Sequence, residues 1–144
     1  MEERRFSRGK FISLGAAVGM GAAGFAGSAA CRGADGGREV ARGEAIARED
    51  DLAPGSAVAF TDAGTGKPAV LVRLNGGGFV AYSAECTHQG CTVSYRAEDE
   101  GYLACPCHGS VFDPVGGGEV VSGPADEPLP RVRIEVRDGR IFRA

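Results

Sequence analysis

Short runs of apolar and β-branched residues alternate with clusters of turn-forming residues from residue 52 to the end of the chain. Runs of this length are typical of β-strands, whereas helices need longer stretches in which apolar residues recur every three or four positions. The predicted strands lie at residues 57–60, 69–74, 79–83, 92–95, 102–104, 120–121, 132–136 and 141–142. The pattern therefore predicts a fold that is built almost entirely from strands.

Two of the connections between these runs favour tight hairpins. Residues 75–78 read Asn-Gly-Gly-Gly, and residues 137–140 read Arg-Asp-Gly-Arg. Asn-Gly and Asp-Gly pairs readily adopt the left-handed backbone conformations that two-residue hairpin turns require. Strands at this close spacing predict an all-β domain at residues 52–144, with the architecture of a small antiparallel β-barrel or sandwich.

Composition narrows the classes of function. The chain has 144 residues, enough for one domain of ordinary size and a short appendage, which excludes a large multidomain enzyme. Its formal net charge is -3 at pH 7, so it lacks the surplus of Lys and Arg on which nucleic-acid binding depends. We therefore expect no nucleic-acid partner.

The first 31 residues have a different character. Four basic residues precede an uncharged stretch at residues 11–30 that is rich in Ala and Gly; they are Arg4, Arg5, Arg8 and Lys10. This stretch is long enough to cross a bilayer but only weakly hydrophobic, as twin-arginine export signals are. We therefore expect a twin-arginine-like signal at residues 1–31, with an uncleaved membrane anchor as the alternative.

The sequence around Cys31 indicates how a folded domain is attached to the membrane. Three small residues, Ser28-Ala29-Ala30, precede Cys31, and this sequence suits a signal-peptidase site and also resembles a lipid-attachment site at Cys31. Residues 32–51 are polar, charged and rich in Gly, with few large apolar side chains. This composition predicts a flexible linker between the membrane and the domain.

Two short boxes contain four of the five cysteines and both histidines of the chain. The first box, residues 86–91, reads Cys-Thr-His-Gln-Gly-Cys, and the second box, residues 105–110, reads Cys-Pro-Cys-His-Gly-Ser. A thiolate and an imidazole separated by one or two residues in a tight loop can bind the same metal centre. Gly90, Pro106 and Gly109 allow the sharp turns that this requires.

The boxes leave several kinds of centre open. Covalently attached haem needs two residues between the paired cysteines, and the second box has only Pro106 between them. Zinc could use two Cys and two His, but it would leave Cys91 and Cys107 without a role. Disulfides alone would not explain why both histidines lie in the boxes. The mixed Cys and His ligation of a 2Fe–2S centre accounts best for the whole pattern.

On these two boxes, the chain resembles the Rieske iron–sulfur family over residues 52–144. The resemblance is closest to the disulfide-containing branch, found in cytochrome bc-type complexes and in the small subunit of arsenite oxidase. It implies one 2Fe–2S cluster and a disulfide between Cys91 and Cys107. The metal ligands that it implies are Cys86, His88, Cys105 and His108.

The resemblance also implies roles for residues around the cluster. Ser110 would donate a hydrogen bond to a bridging sulfide, and Gly123 and Pro124 would belong to a loop that covers the cluster. Phe112 stands where the members of highest potential have Tyr, and Phe has no hydroxyl to donate. Rieske potentials range from about -150 to +300 mV. We expect an intermediate to moderately high value here, suited to menaquinol or another donor of lower potential.

These features predict a membrane-attached electron-transfer protein on the extracytoplasmic face of a bacterial cytoplasmic membrane, because disulfides persist in oxidising compartments. The chain would accept electrons from a quinol and pass them to a cytochrome as a subunit of a bc-type complex. It would not form a complete enzyme alone. The alternatives are an electron-relay subunit of a molybdenum oxidase that resembles arsenite oxidase, and a zinc-stabilised binding module.

Overall fold

A computed structural model describes residues 37–98 and 101–144. This part of the chain contains eleven β-strands and one short 3₁₀ helix, Glu49–Asp51, so the predicted all-β fold is confirmed. The strands are β1 (Glu39–Val40), β2 (Ala45–Arg48), β3 (Ser56–Asp62), β4 (Lys67–Arg73), β5 (Phe79–Ser83), β6 (Ser94–Arg96), β7 (Tyr102–Ala104), β8 (Val111–Asp113), β9 (Glu119–Ser122), β10 (Ile134–Arg137) and β11 (Arg140–Arg143).

These strands form three sheets. The first has the order β1-β3-β4-β5, the second β6-β7-β8-β9, and the third β10-β11-β2. Neighbouring strands pair antiparallel, except that β1 runs parallel to β3. The third sheet joins the last two strands of the chain to β2, so the end of the chain is paired with its early part. Every described strand lies in one compact unit.

Strand β4 separates two apolar cores. Alternate side chains of a strand point to opposite faces of the sheet. Val70 and Val72 accordingly pack in one core, and Ala69 and Leu71 pack in the other. This explains why β4 is apolar at successive positions, as strands buried on both faces are. The first core also contains Tyr82, Cys86, Leu103, Cys105 and Phe112; the second also contains Val40, Ile46, Phe60 and Ile141.

The predicted flexible linker is wrong from residue 39 onward. β1, β2 and the 3₁₀ helix all lie between residues 39 and 51, where the composition had indicated an unstructured tether. The physical reason is that Val40 and Ile46 are buried in the second core, with 1% and 9% of their surfaces exposed. Two well-placed apolar side chains therefore outweigh the polar and glycine-rich composition around them.

Other predictions concern the chain outside the described residues. The twin-arginine-like signal, its alternative as a membrane anchor, and lipid attachment at Cys31 all fall on residues 1–36. Within residues 37–98 and 101–144, no helix is long and apolar enough to span a bilayer. These predictions about the N-terminus remain predictions.

Strand β1 ties the start of the described chain to the edge of β3. The backbone N–H groups of Thr61 and Ala63 donate to the carbonyl oxygens of Arg38 and Val40, both at 3.0 Å. The hydroxyl of Thr61 also donates to the carbonyl oxygen of Gly37 at 3.1 Å. Three hydrogen bonds therefore hold this short segment along one strand.

An ion pair between Asp62 and Arg143 connects the end of β3 to the last strand. The guanidinium of Arg143 donates to both carboxylate oxygens of Asp62, at 3.1 and 3.0 Å. The two side chains are only 6% and 12% exposed. These hydrogen bonds hold the pKa of Asp62 below its ordinary value despite the opposing effect of burial, and the N–H of Gly64 lowers it further. The pair thus joins the last strand, β11, to β3 of the first sheet.

We predict that Asp62→Asn lowers the free energy of unfolding at neutral pH by about 3 to 5 kcal/mol, because Arg143 would be left buried without its anionic partner. The folded pKa of Asp62 lies below the unfolded one, so its contribution is complete above the unfolded pKa, near 3.9. It is lost as the pH falls through the folded value. Urea unfolding at neutral and strongly acidic pH measures the difference.

Glu85→Gln is the matched control for this prediction. It removes one partner of the Lys67–Glu85 pair, whose side chains are 55% and 36% exposed. Exposed pairs contribute about 1 kcal/mol or less. Equal losses in the two variants, or a loss in Asp62→Asn that does not shrink in acid, would contradict the role assigned to the buried pair.

Candidate metal centre

The first box folds into a loop that closes on itself. The backbone N–H of Cys86 donates to the carbonyl oxygen of Cys91, and the N–H of Gly90 donates to the carbonyl oxygen of Cys86, both at 2.8 Å. Gly90 has a φ of +77°, in the left-handed region that glycine occupies without strain. The loop connects β5 to β6 and holds Cys86 at its base, in the first core.

The second box repeats this loop with different residues. The N–H of Cys105 donates to the carbonyl oxygen of Ser110 at 2.8 Å, and the N–H of Gly109 donates to the carbonyl oxygen of Cys105 at 3.1 Å. Gly109 has a φ of +74°, close to that of Gly90. Both boxes therefore place a buried Cys at the start of the same backbone turn, with a Gly four residues later to close it.

A disulfide between Cys91 and Cys107 joins the two loops. The two Cα atoms lie 6.4 Å apart, and the bond links the last residue of the first box to the third residue of the second box. The pairing that the family resemblance implied is confirmed. The disulfide forces the two loops, which are separated by strands β6 and β7, to lie side by side.

The other two cysteines of the boxes are buried. Cys86 and Cys105 are free thiols, and each has only 3% of its surface exposed. The rings of His88 and His108 lie close together, with centroids 4.9 Å apart and planes at 90°. His88 is half-buried and His108 is exposed. The boxes thus bring two buried sulfur donors and two imidazoles to neighbouring loops.

His88 carries a buried polar atom that lacks a partner. Its Nδ1 atom is shielded from solvent and makes no hydrogen bond. A buried nitrogen without a partner costs about 1 to 3 kcal/mol, so such atoms are rare unless a bound group satisfies them. A metal that takes imidazole nitrogen would satisfy His88 Nδ1. The donor set of this site therefore fits a centre bound by both sulfur and nitrogen.

Three sulfur atoms form the tightest group of donors among the described residues. The Sγ atoms of Cys91, Cys105 and Cys107 all lie within 4.8 Å of one another. The sulfurs of Cys91 and Cys107 are bonded to each other, so neither can act as a thiolate ligand while the disulfide is intact. Of this group, only Cys105 can supply a thiolate. The group therefore marks where the disulfide approaches a free thiol, and it is not a separate three-cysteine site.

Ser110 attaches a third segment to the second loop. Its side chain is fully buried, and its hydroxyl oxygen accepts a hydrogen bond from the N–H of Ala125 at 3.1 Å. Because that bond uses an oxygen lone pair, the hydroxyl hydrogen remains available for a second partner. A Cβ atom on Gly123 would lie 2.5 Å from the Cα of Ser110 and 2.8 Å from the carbonyl oxygen of Gly109. Glycine at 123 therefore allows this segment to touch the loop.

Thr87 attaches the same segment to the first loop, a contact that the sequence did not reveal. Its hydroxyl donates to the carbonyl oxygen of Glu127 at 2.7 Å. The acceptor is a backbone atom 40 residues away, and backbone acceptors leave no signal in a sequence. Together with the bond from Ala125 to Ser110, it holds the segment that contains Gly123 and Pro124 against both boxes. Pro124 is itself exposed.

Phe112 lies in the core behind the boxes. It is fully buried in the first core, which also contains Cys86 and Cys105. Its strand, β8, pairs with β7 on one side and β9 on the other, so Phe112 is fixed by neighbours on both edges. β8 was not among the strands predicted from sequence, because it contains only two apolar residues, Val111 and Phe112, and begins directly after the second box.

Comparison with known proteins identifies the family. The family model described as the Rieske [2Fe-2S] domain matches residues 44–133, which include both boxes and the segment that touches them. The chain belongs to the Rieske family. Membership implies a 2Fe–2S cluster as the cofactor, as the sequence predicted, and it decides against the zinc-stabilised module.

Named relatives include iron–sulfur subunits of cytochrome bc1 and b6-f complexes. The chain is 48% identical over 61 residues to a cytochrome bc1 complex Rieske iron–sulfur subunit of Streptomyces lividans, a match covering 42% of this chain and 36% of that protein. It is 38% identical over 98 residues to the cytochrome b6-f complex iron–sulfur subunit of Chlorobaculum tepidum, covering 64% of this chain and 52% of that protein. The matches thus span between about a third and a half of these relatives.

A solved structure supports the fold. The cyanobacterial plasma membrane Rieske protein from Synechocystis is 29% identical to this chain and superimposes with a TM-score of 0.60. The match covers 69% of this chain and 96% of the other. The arrangement of sheets described above is therefore that of a Rieske domain.

We predict that Ser110→Ala lowers the midpoint potential of the cluster-bearing protein, since it removes a buried hydroxyl at the end of the second loop whose hydrogen is available to donate. The variant should also unfold about 1 to 3 kcal/mol more easily, because the N–H of Ala125 would be left without an acceptor. A redox titration followed by urea unfolding measures both effects.

Ser83→Ala is the matched control for this variant. The hydroxyl of Ser83 accepts a hydrogen bond from the N–H of Glu85 at 3.3 Å, at the entrance of the first loop. Its removal should leave the midpoint unchanged. If Ser110→Ala also leaves the midpoint unchanged while stability falls, the hydroxyl hydrogen of Ser110 points away from the cofactor.

Proposed function

We propose that Cys86 and Cys105 bind one iron of the cluster through Sγ, and that His88 and His108 bind the other through a ring nitrogen. Burial of the two thiols, the unpartnered Nδ1 atom of His88 and the proximity of the two imidazoles support this assignment. The disulfide leaves no other thiol in the two boxes free to bind. The cluster, when bound, takes up and releases one electron.

Exposure differs between the two halves of the proposed ligand set. Cys86 and Cys105 are buried, whereas His108 is exposed at the surface of the second loop. A redox partner can therefore approach the cofactor from the histidine side without any part of the domain opening. This asymmetry is the observation that carries the proposed function. If Nδ1 binds the metal, the other nitrogen of each ring, Nε2, is left to hold a proton or to receive a hydrogen bond from a partner.

We infer that the chain is an extracytoplasmic electron carrier that is attached to the membrane through its N-terminus. The Cys91–Cys107 disulfide supports an oxidising compartment, and the uncharged stretch at residues 11–30 supports export or anchoring. A signal that exports folded protein would allow the cluster to be inserted before the domain leaves the cytoplasm.

The proposed partners are a quinol as electron donor and a cytochrome as acceptor, within a complex of the bc type. Support comes from the relatives named as subunits of bc1 and b6-f complexes. The exposed imidazole of His108 offers a quinol hydroxyl both a hydrogen-bond partner and a short path to the cofactor. Phe112 has no hydroxyl, and this supports an electron donor of lower potential, such as menaquinol.

Replacing a proposed ligand should abolish the Rieske spectrum. We predict that full-length His108→Cys and Cys105→Ser proteins lose the electron paramagnetic resonance signal and visible circular dichroism of the native cluster. The neighbouring variant Gln89→Ala should keep both, because Gln89 is exposed and is not a ligand. Far-ultraviolet circular dichroism reports whether each variant still folds. A folded His108→Cys or Cys105→Ser protein with an unchanged spectrum would refute the assignment.

The role in a quinol-oxidising complex is tested by purification from membranes of the native organism. We predict that the tagged full-length chain is recovered with haem absorbance and with quinol-dependent reduction of a cytochrome. The same preparation from the His108→Cys strain should lack this activity, and that from the Gln89→Ala strain should retain it. Recovery of an intact cluster without haem and without quinol-dependent activity would contradict the bc-type role and favour an electron relay to another enzyme.

A further inference from the structure

Three arginines lie side by side across the third sheet. Arg137 of β10 is directly opposite Arg140 of β11, and Arg140 is directly opposite Arg48 of β2. Directly opposed residues in antiparallel strands place their side chains on the same face, about 5 Å apart at Cβ. The three guanidinium groups therefore form a row on one face of this sheet.

Such a row is unfavourable unless something compensates its charge. Like charges at directly opposed positions destabilise a sheet. Arg137 has compensation, because it lies 4.0 Å from Glu135 and stacks over the ring of Phe142 at 4.2 Å. Among the described residues, no carboxylate oxygen comes within 4.0 Å of Arg48 or Arg140. The repulsion between these two arginines is thus not relieved by an ion pair within the domain.

Arg38, which precedes β1, adds a third guanidinium without an ion pair among the described residues. Arg38, Arg48 and Arg140 line one shallow cavity of about 290 Å³, which we call the arginine cavity. Asp51 is the one acidic residue in its lining, so the cavity brings three positive charges against one negative charge. Its remaining walls are Ala45, Ile46 and Ala47. The charged side chains that line the cavity thus sum to a positive charge, and the acidic residues Glu49 and Asp50 directly follow Arg48 outside the lining.

The chemistry of the cavity suits a phosphate group. Guanidinium groups bind phosphate oxygens with paired, charge-assisted hydrogen bonds, and they lose less hydration than ammonium groups when they do so. Several arginines that converge on one anion strengthen the binding further. A bound phosphate would also relieve the repulsion between Arg48 and Arg140, which supplies a physical reason for their direct opposition.

The position of the cavity beside the N-terminal end of the described strands indicates which kind of molecule carries the phosphate. Arg38 directly precedes β1, the first described strand, so the cavity lies at the N-terminal entry to the described strands. Its apolar wall, Ile46, belongs to the second core, whereas the cysteines of the boxes belong to the first. A chain attached to a membrane through its N-terminus would hold this entry point near the bilayer and leave the metal centre on the other core.

We propose that the arginine cavity binds the phosphate of anionic phospholipid headgroups and thereby docks this face of the domain on the membrane surface. The proposal rests on the membrane attachment given under Proposed function. Contact of Arg38, Arg48 and Arg140 with an anionic bilayer would restrict the orientation of the domain. Salt weakens such contacts because it screens exposed charges.

Vesicle binding of the compact unit, residues 32–144, tests the proposal without the N-terminal segment. This unit contains every described strand and both cores. We expect it to sediment with phosphatidylcholine vesicles that contain phosphatidylglycerol, but not with phosphatidylcholine alone. The double variant Arg48→Gln with Arg140→Gln should bind at least about tenfold more weakly, since each basic residue at an anionic surface contributes a several-fold gain.

A charge-matched control separates the cavity from overall charge. The double variant Lys67→Gln with Arg96→Gln also removes two positive charges, but from exposed ion pairs outside the cavity. This control should bind like the unaltered protein. The proposal would be overturned by an equal loss of binding in both double variants or by retained binding in the cavity variant. Absence of binding to phosphatidylglycerol vesicles would also overturn it, and would indicate an acidic protein as the partner that occupies the cavity. None of these readouts depends on the cluster or on quinol, so failure here is distinguishable from failure of the proposed function.

Discussion

The metal centre depends on two loops that are distant in sequence and must be held together. Each box forms the same turn, in which a Cys at its base is hydrogen-bonded to the residue five positions later. Each turn contains one buried thiol and one imidazole, which is half of the donor set that we propose for the cluster. The Cys91–Cys107 bond makes the two half-sites into one. Strands β6 to β8 place the loops at the same end of a sheet, and the disulfide then removes the remaining freedom between them.

A third segment completes this arrangement by noncovalent contacts. Ala125 donates to Ser110 in one loop, and Glu127 accepts from Thr87 in the other. The segment therefore touches both half-sites and is fixed only when both are in place. Gly123 is part of the same design, since a larger residue would collide with the backbone of the second loop. Rigidity around the centre thus arises from three loops that support one another.

Local chemistry was predictable from sequence, whereas long-range packing was less so. The two boxes combine Cys, His and Gly at spacings that few other sites use, and the disulfide partner followed from the family they resemble. Strands such as β5 and β7 were predicted with correct ends, since turn residues flank them. β1 and β2 were missed because their stability comes from Val40 and Ile46 packing against distant strands. The contact of Thr87 with Glu127 was invisible because its acceptor is a backbone atom.

The parallel pairing of β1 with β3 has a mechanical consequence. Hydrogen bonds from Thr61 and Ala63 hold Arg38 and Val40, and a further one holds Gly37. A pull on the chain along the direction of β1 would load these bonds in shear, so that they would have to break together and not one after another. If the domain is attached to a membrane through its N-terminus, as we propose, tension on that attachment would reach the described strands at this point. β1 is thus placed to bear that load and to keep it from reaching the loops that hold the metal.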